Sequence, residues 1–338
     1  MSEDQSPEFR AGFVAILGRP NVGKSTLLNQ ILGEKLAIVS SRPQTTRSRL
    51  LGIKHLPDAQ IALVDTPGLH RPGQRGTMLN RFMIEETRAA WTDVDVILLV
   101  SEVSKLSAAA KEDEPLIPSQ LIDPGDRFIV EQLAKAKQKV VVALNKIDLI
   151  KDKRLLLPLM TEWAKLREFA VIVPISAQTG LGVDQLLQEL KSTLPVSPPL
   201  FPEDMLTDSP ERALVAERIR EQVFNAMYRE IPYATAITID SWEERKNARG
   251  TRSGKRRVVV IGATIHVEKP NQKKILIGER GATLRDIGTA AREEIELVLG
   301  CKVFLELFVR VDEEWSHKPN GLRDMGYNPP TASDERGA

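Results

Sequence analysis

The sequence predicts two domains: an α/β domain with a mixed, mostly parallel sheet flanked by helices, then a smaller α+β domain. Three observations carry this. Before residue 195, apolar β-type runs end in short polar motifs at Gly18, Asp65, Asn145 and Ser176, with helical stretches between them; such alternation builds an α/β sheet with its polar groups gathered at one end. Residues 195–210 then hold five prolines, which cannot continue a helix and favour extended backbone, so they mark a boundary. Beyond them the pattern runs helix, two alternating strands, two helices around a Gly-x-x-Gly, and a last strand.

A length of 338 residues suits two domains. With 42% apolar and 28% charged residues the chain is globular rather than disordered. A net charge of +1 excludes a global pull towards nucleic acid, so such binding needs a local patch. Cys301 is the only cysteine, so no internal disulfide forms. Met1 to Glu8 is polar and acidic, unlike a signal peptide, and the apolar run Val94 to Val100 is too short to span a bilayer. These features suit a soluble, cytoplasmic protein.

Phe13 to Leu17 reads as a buried strand, and Ser25 to Leu32 as a helix ending at Gly33. Between them, Gly18-Arg19-Pro20-Asn21-Val22-Gly23-Lys24-Ser25, followed by Thr26, fits G-x-x-x-x-G-K-[ST]. A glycine turn with a solvated lysine would explain the loop alone, but not its agreement with the strand and helix. In such a unit backbone N–H groups face an anion at a positive helix start. Lys24 would reach the β- and γ-phosphates and Ser25 would ligate Mg²⁺. The loop indicates a nucleoside triphosphate without choosing its base.

Val39 to Arg47 is polar and aperiodic, a loop. Ser48 to Lys54 and Gln60 to Val64 form an antiparallel hairpin about Pro57-Asp58. The second run ends in Asp65-Thr66-Pro67-Gly68, where the carboxylate is placed to hold Mg²⁺, usually through water. Gly68, lacking a side chain, can bring its N–H close to a γ-phosphate. A helix over Gly76 to Trp91 precedes the strand Val94 to Val100. Residues 101–125, with Pro115, Pro118 and Pro124, read as an inserted surface loop. A helix over Arg127 to Lys137 leads into the strand Lys139 to Leu144 and then Asn145-Lys146-Ile147-Asp148. Asp148 can accept from both N1–H and the 2-amino group of guanine, a donor pair that adenine lacks. A polar pair of that kind discriminates by roughly 10⁴-fold or more. Asn145 and Lys146 would brace the loop and cover the base. After a helix over Leu155 to Phe169 and a strand over Val171 to Ile175, the backbone of Ser176-Ala177-Gln178 can meet the guanine carbonyl.

This five-part set resembles the translation-factor-type P-loop GTPases. With Gln44-Thr45-Thr46-Arg47, the Phe201-Pro202-Glu203-Asp204 linker and the second domain, the chain resembles the bacterial Era-like GTPase family along nearly its whole length. The resemblance implies a switch I loop around Thr46 and a switch II after Gly68, ordered by the γ-phosphate and Mg²⁺ and released on hydrolysis. It implies Ser25, Thr46 and Asp65 as the metal group; Thr46 rather than Thr45 is chosen because related GTPases have Thr directly before Arg. Asn21, Lys24, Thr46 and Gly68 form the expected catalytic set. One position departs from the Ras pattern: Leu69 cannot orient a water, so intrinsic hydrolysis should be slow and another group must help. Asn21 matches an asparagine that coordinates K⁺ in some relatives, and a cation there offsets γ-phosphate charge as an arginine finger does; the alternative is that Asn21 only shapes the loop. His70 is read as a surface switch residue rather than a base. The insertion inherits nothing.

In the second domain a helix over Glu211 to Arg229 precedes strands over Tyr233 to Trp242 and Arg257 to Val267, with the densest basic stretch, including Arg249, Arg252 and Lys255, at the hairpin tip between them. Ile277-Gly278-Glu279-Arg280-Gly281 opens a helix through Arg292, and Lys302 to Val311 closes the domain. The order resembles a KH domain of the prokaryotic type II. That resemblance implies a loop clamping the backbone of about four unpaired nucleotides beside an apolar groove; the glycines allow close approach of phosphates, and Arg280 and Lys273 or Lys274 add charge. The divisions expected are 1–10, 11–195, 196–210, 211–312 and a tail 313–338, part of which docks through Trp315, Leu322 and Tyr327. The expected function is a GTP-hydrolysing switch whose output is RNA binding; only the resemblance names the RNA as the 3′ end of 16S rRNA, during 30S subunit maturation. Two rivals are a constitutive RNA-binding module with a structural nucleotide domain and a GTPase of the membrane surface or cell cycle, with peripheral inner-membrane association. No lipidation motif or strongly amphipathic basic helix supports the last.

Overall fold

The computed structural model describes residues 8–40, 42–69, 77–103, 121–246 and 257–327. The chain forms two compact units, one built mainly from the residues up to Asp208, the other from Ser209 onward together with the start of the helix Met78–Thr92 as far as Phe82. The first holds β1 (Arg10–Leu17), β2 (Leu50–Leu56), β3 (Ala59–Asp65), β4 (Val96–Glu102), β5 (Lys139–Asn145) and β6 (Val171–Pro174) in the order β2-β3-β1-β4-β5-β6. Only β2 runs antiparallel; it pairs with β3 in the expected hairpin. β1 lies between β3 and β4, where the strand order reverses, so the loop after β1 opens into the crevice where such sheets bind ligands. β3 is buried along its whole length and β4 nearly so, as its Val-Ile-Leu-Leu-Val run requires.

Helices α1 (Lys24–Leu32), α2 (Met78–Thr92), α3 (Pro124–Gln132), α4 (Leu156–Ala164) and α5 (Val183–Thr193) join the strands. α5 buries Val183, Leu186, Leu187 and Leu190, one face at helical spacing. Two expected boundaries move. α3 begins at Pro124 instead of Arg127, because Asp123 caps Gly125 N–H at 2.8 Å and proline suits a first helical turn. It stops at Gln132 in a 3₁₀ turn, Leu133–Lys135, short of Lys137. α4 ends at Ala164, five residues before Phe169, whose ring instead packs 5.9 Å from that of buried Trp163. Residues 104–120 of the insertion, with His70 and Gly76, lie outside the described residues.

The proline-rich stretch is held on the β2–β3 edge of this unit. Gln60, buried in β3, accepts from Leu200 and Phe201 N–H at 2.7 and 2.9 Å and donates to Phe201 O at 2.8 Å. Ile53 N–H of edge strand β2 donates to Leu206 O at 2.8 Å, which covers part of an otherwise open edge.

The second unit contains α6 (Glu211–Ala226), β7 (Ala236–Lys246), β8 (Arg257–Val267), α7 (Pro270–Ile277), α8 (Ala282–Leu299), β9 (Lys302–Val311) and α9 (Pro319–Asp324). The sheet order is β7-β8-β9; β8 pairs antiparallel with β7 and parallel with β9, and α7 and α8 provide the crossover a parallel pair needs. Val215, Ile219 and Val223 of α6 and Ile287, Ala291 and Ile295 of α8 share one core with Ile261, Ala263 and Ile265 of β8. β7 starts at Ala236 rather than Tyr233, since residues 231–235 turn before it, and α8 runs on past Arg292 to a left-handed Gly300. Trp315 and Leu322 are buried, and Trp315 Nε1 donates to Ala234 O at 3.0 Å. Among the described residues no helix is long and apolar enough to cross a membrane.

Candidate functional site

Lys24 and Ser25 leave β1 through a loop whose turn depends on Gly23. Its φ is 98°, and a Cβ there would sit 2.3 Å from Asn145 Nδ2. Gly23 offers α1 no side-chain cap, so the helix's first amides are left for an anion. Lys24 is buried, with Nζ donating to Gly18 O at 3.2 Å and Arg19 O at 3.1 Å. Burial pulls its pKa from 10.5 down to about 8, against the attraction of Asp65.

Three oxygens converge beside it. Asp65 Oδ2 accepts from Ser25 Oγ at 2.8 Å and Thr46 Oγ1 at 2.9 Å, and the two hydroxyls lie 3.0 Å apart. Asp65 is fully buried, and its Oδ1 has no hydrogen-bond partner. Burial raises this carboxyl's pKa, opposed by Lys24 and the two hydroxyls. An orphaned buried carboxylate oxygen costs stability, and an all-oxygen set of this kind suits Mg²⁺; the residues fit that ion. Of the two neighbouring threonines, Thr46 is the one hydrogen-bonded to Asp65. Asn29, which sequence reasoning passed over, pins the start of the following loop: Oδ1 accepts from Leu36 and Ala37 N–H at 2.9 and 2.8 Å, and Nδ2 donates to Ala37 O at 2.9 Å.

At the base end Asn145 is a hub. Nδ2 donates to Val22 O at 2.8 Å, and Oδ1 accepts from Lys146 N–H at 2.7 Å and Ala177 N–H at 2.8 Å. Lys146, left-handed at φ 68°, donates from Nζ to Asn21 O at 2.8 Å and pairs with Glu102. Ser176 Oγ donates to Asp148 Oδ1 at 2.6 Å. Pro20, Asn21, Thr26, Gly68, Lys146 and Gln178 line one cavity of about 330 Å³ with Lys24, Ser25 and Thr46, joined by Ile38 and Val39.

Three residues of these motifs have side-chain or backbone partners within the protein. Ala177 N–H donates to Asn145 Oδ1, which ties the Ser176-Ala177-Gln178 turn to the Asn145 motif. Thr66 is buried and donates to Ile16 O at 2.8 Å, bracing β3 against β1. Arg19 turns away from the cavity: Nε donates to Asp126 Oδ1 at 2.9 Å, with Asp123 and Glu102 at 3.6 and 3.7 Å. Burial opposes its charge, but these carboxylates outweigh it and raise the guanidinium's pKa. Leu69 is buried and its N–H donates to Gly18 O at 3.1 Å, so its side chain packs in the core.

In the second unit, Gly278 to Gly281 link α7 to α8. Gly278 has φ 73°, and a Cβ would meet Thr283 Oγ1 at 2.2 Å. Arg280 is left-handed at φ 51° and exposed, as are Lys274 and Glu279; Ile277 and Lys273 are half-buried. Beside the loop runs a groove of about 350 Å³ lined by Leu284, Arg285, Gly288 and Arg292 of α8 and Leu305 and Leu307 of β9. None of these was singled out from sequence, although 281, 284, 288 and 292 follow helical spacing. Arg249, Arg252 and Lys255 lie outside the described residues.

Fold and site together define a P-loop GTPase unit joined to a KH unit. A family model for a 50S ribosome-binding GTPase matches residues 13–146, and a KH-domain model matches residues 230–316. GTPase Era of Syntrophus aciditrophicus is 45% identical over 320 residues, 95% of this chain and 96% of that protein. GTPase Era of Geobacter sp. strain M21 is 46% identical over 322 residues, 95% and 98% of the two chains. A crystal structure of Era with MgGDPNP and nucleotides 1506–1542 of 16S ribosomal RNA superposes with a TM-score of 0.84 at 38% identity, covering 95% of this chain and 99% of that one. An Aquifex aeolicus Era variant bound to GDP and AlF4⁻ gives the same score and identity, covering 95% and 100%. The chain belongs to the Era family of GTPases.

Proposed function

We propose that this chain is a GTP-hydrolysing switch that grips single-stranded RNA through its KH unit, the RNA being the 3′ end of 16S rRNA in the assembling 30S subunit. The observation that carries it is the convergence of Ser25, Thr46 and the orphaned Asp65 beside buried Lys24. The RNA named with the Era complex belongs to the small subunit, and that relative matches 95% of this chain, whereas the 50S-binding GTPase model matches only residues 13–146; the small-subunit reading therefore has the broader support.

In this reading the loop from Gly18 to Ser25 presents its amides to the phosphates. Lys24 neutralises the β- and γ-oxygens, and Asp148 selects guanine. Ser25, Thr46 and Asp65 would hold Mg²⁺, which would supply charge neutralisation to the phosphates. Thr46 joins that group only when its loop is closed, which ties switch I to the terminal phosphate. Gly68 N–H contacts the γ-phosphate, and Leu69 contributes nothing to orienting water, so unaided turnover is slow. Asn21 lines the cavity and would hold K⁺, whose charge would offset that of the γ-phosphate. The protein works in the cytoplasm. Phosphate release from GTP and ATP, in K⁺ and in Na⁺, tests this. GTP turnover faster in K⁺, with no ATP turnover, is expected; equal rates in the two salts, or an Asn21→Ala variant that keeps the K⁺ preference, remove the potassium role, and equal use of ATP removes the base assignment.

A further inference from the structure

Along β9 the side chains alternate between two faces. Leu305 and Leu307 form one wall of the KH groove. Phe304 and Phe308 stand on the opposite face, 57% and 58% exposed. Among the described residues β9 is an edge strand, paired with β8 alone. On the open face Phe304 neighbours Val260, Phe308 neighbours Thr264, and Arg310 neighbours His266. At a rise of about 3.3 Å per residue, the two phenylalanines lie about 13 Å apart, far enough for each to take a separate base.

The row ends in a cavity. About 860 Å³ in volume, it is lined by Thr238, Asp240, His266, Arg310, Asp312 and Trp315, among others. Five of the residues at this end are held by one another or by β8. Asp240 accepts from Thr238 Oγ1 at 2.9 Å and Thr264 Oγ1 at 2.6 Å. His266 sits between Thr238 Oγ1 at 2.8 Å and Asp312 Oδ2 at 2.7 Å, and Arg310 pairs with Asp312 at 3.2 Å. Oriented acceptors beside a guanidinium form a surface that reads the edge of an unstacked base.

We infer that the outer face of β9, Phe304 and Phe308 leading to the Asp240–His266–Arg310 cavity, is a stacking platform that continues the single-stranded RNA footprint beyond the nucleotides held in the KH groove. This rests on the RNA-binding reading above. Continuity favours RNA as the occupant, because a strand leaving the groove at Leu305 and Leu307 needs only to round the edge strand to reach the rings. The chemistry agrees: exposed aromatic side chains stack bases without regard to sequence. Glu306, exposed between the rings, accepts hydrogen bonds from base amino groups and repels phosphates, so bases rather than the backbone face the strand. A dry interface with a second copy is disfavoured by the same glutamate and by the polar cavity.

The test uses the full chain loaded with a non-hydrolysable GTP analogue and two unpaired RNAs from the 16S 3′ end, of about four and about twelve nucleotides. Fluorescence anisotropy compares the unmodified chain, Phe304→Ala/Phe308→Ala, and Glu279→Asp/Arg280→Asp, with melting curves as the check on folding. The platform variant should bind the longer RNA about 10- to 100-fold more weakly while matching the unmodified chain on the short one. The clamp variant should lose both. Unchanged affinity of the platform variant for the longer RNA overturns the inference. Loss by the platform variant with full binding by the clamp variant supports the platform and overturns the groove as the RNA site. No RNA binding by the unmodified chain overturns both. A dimer in light scattering without RNA, made monomeric by the two alanines, assigns the face to a second copy and overturns the inference.

Discussion

Two glycine-flanked loops that each open a helix, Gly18 to Ser25 before α1 and Gly278 to Gly281 before α8, are built differently. The first is braced from several sides by side chains: Asn145 holds Val22 O, Lys146 holds Asn21 O, and Arg19 is tied to Asp126 on α3. The second is held by backbone, with Gly278 N–H on Lys274 O at 3.1 Å and Gly281 N–H on Gly278 O at 3.3 Å, while Glu279 and Arg280 stand in solvent. A site for one compact, highly charged ligand gains from fixed donors, because reorganisation at binding is then small. A clamp on a polymer backbone needs only close approach and modest charge, and takes its selectivity from the groove beside it.

The contrast predicts that changes around the first loop cost nucleotide affinity and folding stability, whereas changes in the second cost RNA binding alone. The largest effect belongs to the base. Asp148→Asn should weaken GTP by roughly 10⁴-fold and favour xanthosine triphosphate, whose 2-oxo group suits an amide donor; competition binding with both nucleotides measures it, and an unchanged GTP preference refutes the assignment. Next, Lys24→Ala should cost roughly 10²- to 10³-fold in triphosphate affinity through its charge-assisted contacts, seen in titration with a fluorescent GTP analogue. Asn145→Ala leaves Val22 O and the N–H groups of Lys146 and Ala177 without this partner, so denaturant unfolding should show a loss of about 2–4 kcal/mol. By comparison Glu279→Asp/Arg280→Asp should abolish most RNA binding yet leave GTP affinity within about twofold, since sites without shared partners act independently.

The smallest effect is a pH dependence. Burial holds Lys24 at about 8 in the free protein, and only the charged amine attracts phosphate. Below pH 8 the amine is already protonated and affinity is flat. Above it each bound triphosphate must bring a proton, so affinity at pH 9 should be about tenfold below that at pH 7. Calorimetry in buffers of different ionisation enthalpy should show proton uptake at pH 8.5 and almost none at pH 6.5.

Most of the nucleotide site was legible because each motif sits where a buried strand ends, and strand, spacing and residue type agreed. What escaped notice depends on partners distant in sequence. Nothing local in Asn29 or Gln60 announces that one pins the loop at Leu36 and Ala37 and the other holds the Phe201 segment. Arg19 belongs to the motif, yet its direction is decided by Asp126, more than a hundred residues on. Arg218 and Arg220 are charged yet 1% exposed, paired with Glu221 and Glu217 on the same helix. Pro124 looked like loop because proline breaks helices, whereas at a first turn after Asp123 it starts one. In the KH unit the loop was legible and its groove was not, since Leu305 and Leu307 face α8 only once β9 has paired in register with β8.

The central claim is that the terminal phosphate in the first site governs the RNA grip of the second. It is tested most directly by the affinity of the full chain for a single-stranded 16S 3′-end RNA, loaded in turn with GDP and with a non-hydrolysable GTP analogue at fixed salt. The account predicts binding at least about fivefold tighter in the analogue-bound state, the lower end of ordinary coupling between sites. Equal affinity in the two states would contradict it and leave a constitutive RNA-binding protein.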